Sequence, residues 1–432
     1  MLEITVIFGF MLSLMTCIIF NVSVLISLFI GMILFFIYAL LKGFNIRDVI
    51  NIYIYGILKV KNIIVTLILI GILTALWRSA GTIPFIIYYS SKLIIPEIFI
   101  LLSFLLCSFV SFLIGTSFGT AATMGSICMT MAISFDVNTL WTGGAVLSGV
   151  YFGDRCSPMS TSTLLVSEVT DTNEYENIKL MMKSGLVPYL LTCGVYIIVG
   201  FLTAGSTANV NYSQIFNENF NLHFVTVLPA IIILILSFLK IPIKINISIS
   251  IIVAFLICIF VQNNTISDLF SIALYGFKSE NYDLSLILNG GGALSMSKVI
   301  LIVCISSSYA GIFEKTDLLN GVKKIVFYIS NISNEFICMI IISIFTSMIS
   351  CNQTLAIMLT DQLTKKLVIN NFKRAIYLAN TVVLIAGTIP WSIASKVPLS
   401  SASASTGSIF FAVYLFIVPL YNAFKESIIK NI

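Results

Sequence analysis

Apolar runs separated by short polar segments recur from one end of the chain to the other. They are Ile4–Phe20, Val22–Leu41, Ile63–Leu76, Ile98–Gly115, Leu186–Leu202, Phe224–Leu239, Ile245–Val261, Val299–Phe313, Phe336–Ile349, Ala375–Pro390 and Ile409–Phe424. A hydrocarbon core of about 30 Å is crossed by roughly 20 apolar residues in a helix. The pattern therefore predicts an all-α, polytopic membrane protein with about 11–13 hydrophobic segments. The first run is preceded by Glu3, not a basic stretch, and the second follows it directly. That is unlike a cleaved signal peptide, so residues 1–61 read as a retained helical hairpin and a cytoplasmic loop.

Three of the runs, and the further hydrophobic stretch Leu140–Phe152, end in or meet polar breaks. GTSFGTAATMG (Gly115–Gly125) and DRCSP (Asp154–Pro158) lie in one half, TSMISCNQT (Thr346–Thr354) and TIPWS (Thr388–Ser392) in the other. Irregular backbone at membrane depth is tolerated where it is buried or lines a cavity. Similar interrupted elements in opposite orientations predict inverted-topology repeats, residues 62–204 and 298–432, joined by connecting spans and loops over 205–297. In that architecture interrupted, re-entrant helices mark the binding site near the midplane. The plainer alternative is that Gly and Ser at the breaks serve only close helix packing.

Charge adds the orientation. The chain has 432 residues, 59% hydrophobic and 9% charged, with 23 Lys and Arg against 18 Asp and Glu. Basic residues gather at Lys42–Lys61, Lys179–Lys183, Lys240–Lys244, Lys315–Lys324, Lys365–Arg374 and Lys425–Lys430, whereas Asp136–Thr139 and Gly205–Asn221 have none and Val261–Ser297 has only Lys278. Basic loops stay in the cytoplasm, which puts both termini there. The net charge of +5 sits in short loops and is no signal for nucleic acid. The nine cysteines lie in or beside spans and read as packing residues with no disulfide or zinc spacing.

Candidate chemistry sits on the breaks. A carboxylate at a helix centre in the bilayer costs about 2.5–3.5 kcal/mol on insertion scales, so Asp154 demands a use. Around it stand Thr116, Ser117, Thr120 and Thr123, then Ser157, Ser160, Thr161, Ser162 and Thr163; the second half offers Ser347, Ser350, Asn352, Gln353, Thr354, Trp391 and Ser392. Oxygen ligands around one carboxylate suit a hard cation, and the same carboxylate can hold a proton instead. A purely structural Asp154 would pair with Arg78 or, less readily, its neighbour Arg155. Asp361 and Glu168 lie toward predicted membrane edges, where a solvated position weighs at least as much as a functional one. His223, the only histidine, reads as an interfacial residue. GTSFG fits a nucleophile-elbow pattern without its strand–turn–helix context or a histidine partner, and the glycosylation-like matches at Asn211 and Asn331 are expected by chance. No acid–base constellation points to an enzyme. A channel is less favoured than a carrier because of the repeat.

FGDRCSPMSTST, with GTSFGTAATMG before it and ISCNQTLAIML and LIAGTIPWSIAS after it, resembles the NhaC-type sodium/proton antiporter family from about Ile63 to Phe424. The resemblance implies a multi-pass transporter of a bacterial inner (plasma) membrane whose ions are Na⁺ and H⁺ and which needs no cofactor. It implies that Asp154, Ser157 and Pro158 lie at the transport site, with Thr116–Thr120 and Asn352–Gln353 beside it. Family members often carry an acid where this chain has Thr161. The expected site is thus Asp154 for Na⁺ and H⁺, with Ser157, Thr116, Thr120, Ser160, Thr161, Thr163, Asn352 and Gln353 completing the shell, and Pro158, Arg155, Pro390 and Trp391 shaping it. An exchanger of a small organic acid or amine is the alternative. Lipid is the surrounding partner, and a homodimer is compatible with this reading.

Overall fold

The computed structural model describes residues 2–20, 22–90, 95–203, 216, 218–239, 241–281, 284–285, 288–316 and 334–430. Lys240, most of Gly205–Asn221, Lys323 and Lys324 of the basic loop, and Asn211 and Asn331 lie outside the described residues. The described chain is helical nearly throughout; its one β feature is an isolated bridge between Phe277 and Gly290. Among the described residues seven helices are long and apolar enough to span a bilayer, or up to eight if Asn371–Thr388 and Ile393–Ser401, bent by 62°, form one broken span. Thr5–Cys17, Phe224–Leu236, Ile266–Tyr275 and Glu335–Ser350 are shorter apolar helices. The outer surface is apolar, with Leu202, Phe260 and Phe424 among the most exposed side chains. Such a surface is stable only against lipid.

The N-terminal hairpin, Leu2–Ile19 and Val24–Leu41, packs through rings on the helix Ser297–Lys315. Phe10 meets Phe35 and Tyr309 at 5.3 and 5.6 Å, and Phe35 meets Phe313 at 5.1 Å.

Two stretches of the chain then follow one plan. Lys61–Ser79 is matched by Ser297–Lys315, and Pro96–Ile114 by Glu335–Ser350. Thr139–Cys156 and Thr161–Thr170 are matched by Asn371–Thr388 and Ile393–Ser401. In this register Gly71 corresponds to Ser307, and Gly56 to Gly292. The contacts between them exchange accordingly: a Cβ on Gly56 would lie 2.1 Å from Ser307 O, and one on Gly71 would lie 2.5 Å from Gly292 O. Gly292 N–H donates to Gly71 O at 2.7 Å. The two contacts thus exchange partners between the two stretches.

Candidate functional site

Each stretch breaks in the same manner. Pro96–Ile114 stops at Gly115, whose φ of 72° is left-handed; Thr116 is then extended (φ −138°, ψ 126°) and its Oγ1 accepts from Gly119 N–H at 2.9 Å. Glu335–Ser350 stops at Cys351, φ 53°; Asn352 is extended (φ −143°, ψ 130°) and its Oδ1 accepts from Thr354 N–H at 2.9 Å. A left-handed residue ends one helix and a polar cap begins the next, so one of the orphan amides of each new helix is satisfied without water. Gly115 is doubly constrained, because a Cβ there would lie 2.4 Å from Met159 Cβ in the other break. From Ser117 the chain runs through a π-helical turn, Ala121–Gly125, into Ser126–Ser134. Gln353–Thr364 is a plain α-helix.

Small residues place the acid. Thr139–Cys156 lies so close to Pro96–Ile114 that a Cβ on Gly153 would come within 2.2 Å of Ser111 C. Ser111 Oγ donates across the interface to Val150 O at 2.6 Å. Close backbone approach of this kind holds membrane helices together where hydrophobicity cannot. Asp154 is thereby fixed in the last turn of its helix, 3% exposed.

After Cys156 the chain turns. Ser157 N–H reaches Gly153 O at 2.8 Å, Pro158 has no N–H to give, and Ser160 caps Thr161–Thr170 by accepting from Ser162 N–H at 3.1 Å and Thr163 N–H at 3.4 Å. The partners of the Asp154 carboxylate are Ser160 Oγ at 3.1 Å on Oδ1, and Ser162 Oγ at 3.0 Å with Gln353 Nε2 at 2.9 Å on Oδ2. The single hydrogen of Ser160 is contested by Asp154 O, only 2.5 Å away. Gln353 Nε2 also donates to Val383 O at 2.9 Å. Because a carbonyl can only accept, this fixes the amide orientation and leaves Oε1 as an acceptor. All the donors to Asp154 are neutral, and the adjacent helix N-terminus adds the partial positive charge of its peptide dipoles.

Asp154 borders a cavity of about 350 Å³ where the two breaks meet, along with Thr116, Ser117, Thr161, Asn352, Gln353 and Thr354. Phe118, within the first break, also lines it, as do Asn62, Thr66 and Lys244; the pattern of breaks gave no sign of these last three, which lie outside the breaks. Thr161 is exposed at the rim. Ser162, among the candidate hydroxyls but outside the expected site, reaches the carboxylate together with Ser160 and Gln353; no local signal in the sequence singled it out from Thr161.

The other expected residues act behind the cavity wall. Ser157 Oγ accepts from Met159 N–H at 3.1 Å, Thr120 Oγ1 donates to Thr116 O at 3.0 Å, and Thr163 Oγ1 donates to Arg155 O at 3.1 Å. Trp391 Nε1 donates to Met348 O at 2.9 Å, while Pro390 borders a different cavity. With the capping serines Ser160 and Ser392 superposed, Pro158 matches Pro390, but Asp154 matches Ala386 and Ser162 matches Ala394. The fold repeats; the acid does not.

Neither arginine meets Asp154. Arg155 turns away into fully neutral company: Met181 O at 2.8 Å, Ser184 Oγ at 2.9 Å, Tyr414 OH at 3.2 Å and Asn380 Oδ1. It ties the acid's helix to three others. Arg78 Nη1 donates to Thr74 O at 3.0 Å within its own helix. The solvated position open to Asp361 in the sequence is corrected: the residue is 7% exposed and paired with Arg374 Nε at 2.8 Å. Glu168 is exposed, and His223 Nδ1 caps a short 3₁₀ turn by accepting from Val225 N–H at 3.2 Å.

Residues 149–423 match the Na⁺/H⁺ antiporter family. Among curated relatives, an NhaC Na⁺/H⁺ antiporter of Bacillus subtilis is 26% identical over 92% of this chain and 90% of its own length. A malate-2H⁺/Na⁺-lactate antiporter of the same organism is 24% identical over 90% of this chain and 86% of its own. An uncharacterised Na⁺/H⁺ antiporter of Haemophilus influenzae is 28% identical over 81% and 78%.

Proposed function

The chain belongs to the Na⁺/H⁺ antiporter family, and on that premise we propose that it exchanges cytoplasmic Na⁺ for external protons, with Asp154 as the carrier of both. The observation that carries the reading is one buried carboxylate, held by neutral donors from both halves, on the cavity where the two breaks meet. A carboxylate without a cationic partner is neutralised by one Na⁺ or one H⁺, and competition between the two couples their movements. Hydroxyls donate to the carboxylate and keep lone pairs for a metal. Gln353 Oε1 and the oxygens of Thr116, Thr161 and Asn352 would complete an oxygen shell suited to Na⁺.

The rim of the cavity carries Asn62 and Lys244, joined at 2.7 Å, beside Lys61. Basic residues favour the cytoplasmic side, which supports an inward-open form with both termini inside a bacterial inner membrane. We read residues 62–204 and 298–432 as inverted repeats whose relative rocking opens the site to the other side.

A second reading, exchange of a small organic acid coupled to these ions, is favoured by the malate/lactate relative that covers 90% of the chain. Everted vesicles with an imposed pH gradient separate the readings. Proton efflux on adding Na⁺ alone supports the first; a response that needs an organic acid supports the second. If Asp154→Asn exchanged Na⁺ for protons as well as the parent, the site proposed here would be wrong.

A further inference from the structure

A second cavity, of about 430 Å³, is bordered by Lys298, Val299 and Ile302 at the start of one helix, and by Pro390, Lys396 and Thr406. In the repeat register Lys298, Val299 and Ile302 occupy the places of Asn62, Ile63 and Thr66, which line the Asp154 cavity. Its chemistry is the reverse. No Asp or Glu borders it, and the position matching Asp154 is Ala386. Lys396 is half-buried, and its hydrogen bond goes to a neutral group, Thr406 Oγ1 at 2.8 Å. Lys298 makes no hydrogen bond or ion pair among the described residues, whereas Lys42, Lys373 and Arg374 each meet a carboxylate.

An ammonium removed from water without a counter-charge is costly. Lys396 bears part of this cost, and the exposed Lys298 bordering the same cavity adds repulsion between like charges. An oxyanion between them would relieve both penalties and form charge-assisted hydrogen bonds with each. The remaining wall is apolar, with Val299, Ile302, Leu25 and Phe410, so a ligand with a short hydrocarbon part fits better than an inorganic anion.

We propose that this cavity binds a small organic carboxylate through Lys298 and Lys396, on the side of the protein opposite the Asp154 cavity. By the loop charges that side is external. The proposal does not rest on Asp154; it adds a site to the organic-acid reading and stands or falls apart from Na⁺ exchange.

The test is equilibrium binding of lactate and malate, as choline salts without Na⁺, to the full chain in phosphatidylcholine nanodiscs. Saturable binding is expected for the parent and for Asp154→Asn. It should weaken at least tenfold in Lys298→Gln and in Lys396→Gln, and survive in Lys396→Arg. Lys298 is exposed, so its variant keeps the test meaningful if Lys396→Gln fails to fold, which its melting temperature would reveal. Absence of saturable binding, or binding indifferent to both lysines, overturns the proposal. So does mass spectrometry showing an anionic phospholipid retained by the parent and lost from the variants, since the occupant would then be lipid. Parent protein that binds acids but never exchanges Na⁺ for protons would leave this site standing and remove the primary reading.

Discussion

Gln353 Nε2 lies 2.9 Å from Asp154 Oδ2, and this is the hydrogen bond by which the second half of the chain reaches the acid of the first. A hydrogen bond to a charged group contributes about 1.5–3 kcal/mol. Gln353→Ala should therefore raise the half-saturating Na⁺ concentration by about tenfold or more, measured as Na⁺-dependent proton flux in everted vesicles. An unchanged Na⁺ dependence would show that the second break does not help hold the ion.

Ser162 and Thr161 are adjacent, but only Ser162 touches the carboxylate; Thr161 is exposed at the rim. Ser162→Ala should impair Na⁺ exchange far more than Thr161→Ala. Thr161→Asp would add a second carboxylate to the cavity, and Na⁺ should then half-saturate at a several-fold lower concentration. Equal effects of the two alanine variants would count against the geometry proposed for the shell.

Competition at one carboxylate has a definite pH sign. Protonation removes the charge that attracts Na⁺, so the half-saturating Na⁺ concentration should rise as the cytoplasmic-side pH falls. The limit is about tenfold per pH unit once the carboxyl is mostly protonated. Flux measured at several pH values on that face checks this, and a Na⁺ affinity independent of pH would exclude direct competition.

Gly153 permits the closest approach in the acid's helix, with Ser111 C only 2.2 Å from where a Cβ would sit. Gly153→Ala should destabilise the fold by about 1–3 kcal/mol or more, as overpacking does. Gly194→Ala, with nothing within 4 Å of the added methyl, should change stability by less than about 1 kcal/mol. Thermal melting in detergent compares the two.

Asp361 and Arg374 form a buried pair at 2.8 Å. Removing one member leaves the other uncompensated, at a cost of about 3–5 kcal/mol. Asp361→Asn should lower the melting temperature markedly, and the protein that remains folded should keep the parent's Na⁺ dependence. A shift in Na⁺ affinity would instead place Asp361 in the transport path.

The spans and the four breaks were legible because both rest on local chemistry: apolar runs of bilayer length, and caps such as Thr116 and Asn352 set in apolar surroundings. Asp154 was legible because a membrane carboxylate is costly. What faces it was not. Successive residues on a helix point about 100° apart, and nothing in S-T-S-T says that Ser162 rather than Thr161 turns toward the acid. A solvated Asp361 was open because its partner Arg374 arrives on the next helix, a contact absent from local sequence. Pro390 and Trp391 mark a genuine break, but Trp391 is spent on Met348 O and Pro390 borders the second cavity.

The neutral surroundings of Asp154 bear on slippage. A carrier that rocks must seal its site before reopening it, and sealing would strand a bare carboxylate away from water. Without a cationic side chain to accompany it, that charge costs several kcal/mol in an enclosed space. In the proposed mechanism the loaded and the protonated forms would carry no such burden and could cross. On the exchange proposed here, the empty form would be held on the side where its last cargo left, so that one ion would not run down its gradient without the other returning. On that reading, arginines placed away from Asp154 would make leakage the costlier path.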